Sequence, residues 1–151
     1  MKFFIKLTIL IYLISLKHVY AADVEISGTQ ATREDLQASS TLTISGTLDG
    51  DLNNIVRGYI AAGNEIDSAT VVVESGGTIQ GKSNAIMGRE TDSLTVINSG
   101  TIEATSSKAI QLLDAQNATI TNKSGGTIFA NTNAIVQQSA GTEDAENTTI
   151  T

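Results

Sequence analysis

Cysteine, proline and tryptophan are absent from this 151-residue chain, and histidine occurs once, as His18. Without cysteine there is no disulfide to staple the fold and no Cys-His pair for nucleophilic catalysis. Because His18 lies in an N-terminal leader, the chain beyond it also has no Ser-His-Asp triad and no histidine-ligated zinc. An exported protein without disulfides depends on packing and hydrogen-bond ladders instead. Positive charge is scarce too: nine Lys and Arg stand against sixteen Asp and Glu. Lys2, Lys6 and Lys17 precede residue 22, so beyond it six basic residues face sixteen acidic ones, a net charge of −10. Such a surface repels phosphate backbones, and no nucleic-acid partner is expected. Neither a metal site nor a cofactor site is expected.

The leader combines Met1-Lys2 with an apolar run, Leu7 to Leu16, too short to span a bilayer. Val19-Tyr20-Ala21 then offers small residues where signal peptidase reads them. These features predict a Sec signal peptide over 1–21, cleaved after Ala21, and export of residues 22–151.

The remaining chain is rich in Thr, Ser, Asn, Gly and β-branched apolar residues. Polar richness of this kind can mean disorder. Here, however, the apolar residues recur regularly, which favours strands. The triplets Leu42-Thr43-Ile44, Ala69-Thr70-Val71, Leu94-Thr95-Val96, Ala118-Thr119-Ile120 and Thr148-Thr149-Ile150 mark a first strand with one buried face. Gly-Thr followed by an apolar residue marks a second, at Leu48, Ile79, Ile102 and Ile128. Nine or ten residues after those glycines stands a third apolar position, at Ile55, Ile86, Ile110 and Ile135. Three short strands in each turn of about 25 residues describe a parallel β-helix, a solenoid whose turns stack about 4.8 Å apart.

The expected interior stack is Ile44, Val71, Val96, Ile120 and Ile150, with the second- and third-strand residues just named. Thr43, Thr70, Thr95, Thr119 and Thr149 form the expected outward ladder. Asn98 and Asn122 suggest an asparagine ladder at a bend, and the Ser-Gly and Gly-Gly pairs suit sharp corners. Val24, Ile26 and Ser27-Gly28-Thr29 read as an earlier, shorter turn, followed by a charged capping segment from Arg33 to Gln37. A β-sandwich would not need the same triplets in every third strand. The leucine-rich phrase is missing, and the period-two pattern excludes an α-solenoid. Asp144 to Thr151 echoes Asp114 to Thr121, so the expectation is a fragment or a truncated product of a longer array, and a truncated product without present function is a further alternative.

The leader together with degenerate turns such as Ser99-Gly100-Thr101-Ile102 and the Ala109-Ile110 step resembles the N-terminal passenger of bacterial autotransporters. The resemblance implies a right-handed β-helix displayed at the outer membrane of a Gram-negative cell. It also implies export by a C-terminal translocator β-barrel, and a role in adhesion or virulence through a host or cell-surface ligand. No such barrel lies within these 151 residues; without one the expected location is the periplasm. With no proline, the Asn-Pro motif of two-partner secreted adhesins is missing.

Two features look chemical. Gly76-Gly77-Thr78-Ile79-Gln80-Gly81-Lys82-Ser83 fits the phosphate-loop pattern, but that mechanism needs a helix to follow. Asn84-Ala85-Ile86 aligns with other turns instead, which makes Lys82 a solvated turn residue. The other feature is the acidic loops Asp49/Asp51, Glu65/Asp67, Glu90/Asp92 and Glu143/Asp144/Glu146. Paired acids can hydrolyse glycosides or bind calcium, so a polysaccharide-acting β-helix enzyme of the pectate-lyase type is the alternative. No acids with Arg or Lys repeat at equivalent positions of consecutive turns, and a non-enzymatic scaffold is the preferred reading. The Asn-x-Ser/Thr sequences at Asn117, Asn122 and Asn147 are expected by chance in such a composition.

Overall fold

The computed structural model describes residues 23–50, 54–58, 66, 68–139 and 147–151; the expected leader lies outside them. Among the described residues every regular element is a strand. The first turn contributes β1 (Val24–Ile26), β2 (Thr29–Gln30) and β3 (Glu34–Asp35), and the second β4 (Ser40–Ile44), β5 (Thr47–Gly50) and β6 (Asn54–Gly58). The third supplies β7 (Ala69–Val73), β8 (Thr78–Gly81) and β9 (Asn84–Arg89), and the fourth β10 (Leu94–Asn98), β11 (Thr101–Ala104) and β12 (Lys108–Leu113). Then come β13 (Thr119–Asn122), β14 (Thr127–Ala130), β15 (Asn133–Gln138) and, opening another turn, β16 (Thr149–Ile150).

Successive turns lay their strands on one another in parallel, building three sheets ordered β1-β4-β7-β10-β13-β16, β2-β5-β8-β11-β14 and β3-β6-β9-β12-β15. The chain is a parallel β-solenoid with three sheets around one core. Alternation explains the strands: β4, β7 and β10 each run buried, half-buried, buried, half-buried, buried. A strand with that parity has one face inside and one out.

Inside, Leu42, Val71, Val96 and Ile120 line the first sheet, and Leu48, Ile79 and Ile102 the second. Ile86 and Ile110 stand in register on the third, with Ile135 next in line and partly buried against the core. Ile128 is likewise partly buried, and Ile150, expected inside, is 57% exposed. Among the described residues no strand covers these last positions.

The register differs from the expected one in two places. Thr41, not Thr43, pairs with Thr70, and Leu42, not Ile44, pairs with Val71; Thr43 and Ile44 oppose Val72 and Val73. The cause lies in the corners. Ser45-Gly46 turns the second-turn chain in two residues, whereas Glu74-Ser75-Gly76-Gly77 takes four before reaching Thr78, the partner of Thr47. A two-residue slip keeps every side chain on its own face, so parity alone does not reveal it. On the third sheet Val56, not Ile55, pairs with Ile86. Residues 51–53 separate Gly50 from Asn54, while only Lys82 and Ser83 separate their partners Gly81 and Asn84. Ile55 and Val56 are both fully buried.

Nor does the charged stretch after Gln30 form a separate cap. Its Glu34–Asp35 is β3, the third strand of the first turn, paired with Val56 and Arg57. Arg57 donates two hydrogen bonds to the Asp35 carboxylate, both 2.9 Å, and Leu36 enters the core. A strand was hidden because both its residues are acidic, although only Asp35 lies in the outward row; Glu34 pairs with buried Val56, and only Leu36 marks the interior by its chemistry.

Corners are held by glycine and asparagine. Gly76 and Gly125 occupy equivalent four-residue corners at φ of 87° and 89°, the left-handed region where a side chain is strained. Asn98 is fully buried; its Nδ2 donates to Asn122 Oδ1 (2.8 Å) and to the Thr127 carbonyl (3.0 Å). The Gly100 N–H donates to Asn98 Oδ1 (3.2 Å), so the side chain ties its own corner to that of the next turn. This is the expected asparagine ladder.

Candidate functional site

Each sheet exposes every second side chain, so the outer surface is a set of straight rows, one residue per turn. On the first sheet one row is Thr41, Thr70, Thr95, Thr119 and Thr149. Its neighbour runs Glu25, Thr43, Val72, Ile97 and Thr121. Thr70, Thr95 and Thr119 are half-buried and point outward, as does Thr43 in the second row, while Thr149 is exposed.

The second sheet carries Thr29, Thr47, Thr78, Thr101 and Thr127 beside a row of Asp49, Gln80, Glu103 and Phe129. Gln80 Nε2 donates to Glu103 Oε2 (3.2 Å), and Phe129 is 56% exposed. On the third sheet Asp35, Arg57, Met87, Gln111 and Val136 share a row. Gln111 Nε2 donates to Gln138 Oε1 (3.0 Å) across adjacent turns. Polar side chains thus spend their bonds on side chains of the next turn.

The acidic candidates do not assemble into a pair across a cleft. Asp49 stands on the outer face of β5, separated from Glu103 by the whole of β8. Glu90 forms an ion pair with Arg89 (3.1 Å) and Asp92 is exposed at the next corner. Asp51, Glu65, Asp67, Glu143, Asp144 and Glu146 lie outside the described residues. Among the described residues no three carboxylates gather where a cation could be held. A depression of about 20 Å³ between β3 and β4, lined by Val24, Glu34, Leu36 and Leu42 among others, has room for about one water. Glycan rings do not fit there.

The phosphate-loop pattern is dispersed along the solenoid. Thr78–Gly81 is strand β8, hydrogen-bonded in register to Thr47–Gly50 and Thr101–Ala104, and β9 follows where a phosphate loop needs a helix. Lys82 is exposed at the corner between them, and its carbonyl accepts from the Ser106 N–H and Oγ, both at 2.8 Å.

A further asparagine contact was not anticipated from the sequence. Asn117 and Asn147 take up left-handed φ of 49° and 58°, and Asn147 Nδ2 donates to Asn117 Oδ1 (3.3 Å). They meet across turns at the corner that opens the first sheet. Asparagine tolerates this backbone better than most residues. The signal was present as the repeated Asn that precedes the Ala118-Thr119-Ile120 and Thr148-Thr149-Ile150 triplets.

Among the described residues no helix is long and apolar enough to cross a membrane. Comparison with protein-family models, curated proteins and solved structures finds no match to this chain.

Proposed function

We propose that this chain is an exported, surface-displayed scaffold of the autotransporter-passenger kind, non-enzymatic, which acts by presenting the long faces of its solenoid to a host or cell-surface ligand. The observation that carries the reading is the run of outward rows in unbroken register, with side chains exposed on open faces rather than converging in a recess. A solenoid spreads contact along its length and tolerates additional turns, which suits a stalk or binding module. The acidic composition keeps such a rod soluble and keeps it from pairing edge to edge. The apolar leader supports passage through the Sec system, and a translocator barrel would belong to a longer protein.

Protease treatment of intact cells that make the protein natively, followed by fractionation, tests the reading. The expected outcome is a processed protein beginning at Ala22, cleaved by external protease and found with the outer membrane or in the medium. A mature product confined to the cytoplasm or periplasm overturns it.

A further inference from the structure

The first sheet differs from the other two in the side chains it shows to solvent. From the second turn onward its two outward rows hold Thr41 and Thr43, Thr70 and Val72, Thr95 and Ile97, Thr119 and Thr121, then Thr149 and Thr151. Eight of these ten side chains are threonine, the other two share its branched shape, and none is charged. In a chain with sixteen acidic residues that neutrality is selective. The second sheet repeats the threonine row but places Asp49 and Glu103 beside it, and the third carries Asp35 and Arg57.

Geometry makes the first face a two-dimensional net. Paired parallel strands set a repeat of about 4.8 Å from turn to turn, and alternate residues along a strand lie about 6.6 Å apart. The pairing runs through β4, β7, β10, β13 and β16 with no slipped residue. Branching at Cβ restricts each threonine to few rotamers, so its hydroxyl and γ-methyl have few orientations to choose from. Thr121 and Thr151 stand on adjacent turns of the same row, their hydroxyls within hydrogen-bond distance of each other at 3.2 Å.

A periodic, uncharged, hydroxyl- and methyl-bearing net matches a partner that is itself periodic and neutral. The turn-to-turn repeat is close to the oxygen repeat along the basal axes of ice. Hydroxyls can replace lattice waters as hydrogen-bond partners, while methyls settle into the hollows between them and hold an ordered water layer. Charges would instead orient water around themselves, and from the second turn onward these two rows hold none; Glu25 lies at the first-turn edge, beyond them. Neither row holds an aromatic side chain on which sugar rings could stack. We propose that the threonine face of the first sheet binds ice, an activity that rests on the fold alone and is independent of surface display.

Purified unlabelled protein is tested for uptake into a slowly growing ice hemisphere, read as the protein content of the melted ice, and for faceting of single ice crystals below the melting point. Uptake into the ice and faceted crystals are expected for the unaltered chain. T95K/T119K, which plants two charges mid-face, should lose both effects, whereas T95V, which repeats the shape of Val72, should keep them. T101K, on the second sheet, should also keep them. Circular dichroism melts verify that each variant is folded; if T95K/T119K is not, T95S/T119S, which removes only the γ-methyls, takes its place and should lose most of the uptake. Exclusion of the unaltered protein from ice overturns the proposal, as does equal loss in T101K and in the first-sheet variants.

Discussion

Asn98 shows how much one side chain can carry at a corner of the solenoid. It is fully buried, donates to Asn122 and Thr127, and accepts from the Gly100 N–H. Truncation to alanine removes three hydrogen bonds, strands the buried Gly100 N–H and leaves a void where a fully buried side chain stood, so Asn98→Ala should destabilise by about 2–4 kcal/mol. Asn122 is exposed, and its own Nδ2 donates to the Gly126 carbonyl at 3.0 Å. Because water can replace much of its hydrogen bonding, Asn122→Ala should cost only about 1 kcal/mol. Urea denaturation of both variants checks the order, and equal losses would show that the buried ladder does not hold the corner. Two glycines offer a parallel contrast. A Cβ on Gly100 would collide with the Gly77 and Glu74 carbonyl oxygens, and 2.9 Å away lies Val73 Cγ1. Gly76 has open space around that position but a φ of 87°. Gly76→Ala should therefore cost about 1–2 kcal/mol, from the left-handed backbone alone. Gly100→Ala displaces two backbone carbonyls of the neighbouring corner and should cost more, about 3 kcal/mol at the upper end of overpacking effects. Thermal melts giving the reverse order would contradict the close approach of successive corners.

At the scale of strands, the third sheet tests the core. Ile110 is fully buried between Ile86 and Ile135, and the adjoining turns leave little room to collapse around a cavity. Ile110→Ala should cost about 3–5 kcal/mol, near the top of the range for buried isoleucine. Ile135 lies in β15, the last strand of its sheet among the described residues, and is only partly buried, so Ile135→Ala should cost well under half as much. Equal midpoints in urea for the two variants would mean that the stack is not continuous. The Ala-Ile steps at Ile86, Ile110 and Ile135 were legible in the sequence because each stands in the same apolar setting, Ala followed by Ile, at a near-constant distance from its corner glycine. Ile44 and Ile55 are buried and Thr43 is outward as expected, but their partners across turns differ where corner length changes. Hydrophobic parity reports which face a residue takes, while register is set by how many residues a corner consumes. The first turn was legible in β1 and β2 but not in β3, whose two acidic residues, Glu34 and Asp35, masked a strand behind a charge pattern. The contrast between the faces was only half legible. The threonines were visible one by one, but their neighbours across turns, and hence the uncharged rows of the first sheet from its second turn onward and the acidic row of the second, depend on register.

Across the whole molecule, each turn touches mainly the turns before and after it, so stability accumulates by stacking rather than around a central nucleus. Strands β8 to β12 have neighbours on both sides within their sheets, whereas β14, β15 and β16 end theirs. The burial pattern follows: Ile79, Ile86, Ile102 and Ile110 are fully enclosed, while the side chains of β14 and β15 are half-buried or exposed. Local opening is governed by how many buried contacts a segment must break. Amide hydrogen exchange should accordingly be slowest in β8 to β12 and fastest in β14 to β16, with protection falling turn by turn between them. Substituting Ile110 by alanine should then accelerate exchange in β14 and β15 more than in β4 and β5, because it weakens the interface on which β15 rests directly. Mass spectrometry of exchanged peptides would resolve the gradient. Uniform exchange from β4 to β16, equally accelerated everywhere by Ile110→Ala, would mean that the solenoid opens all at once, and the stacked-turn account of its stability would fail.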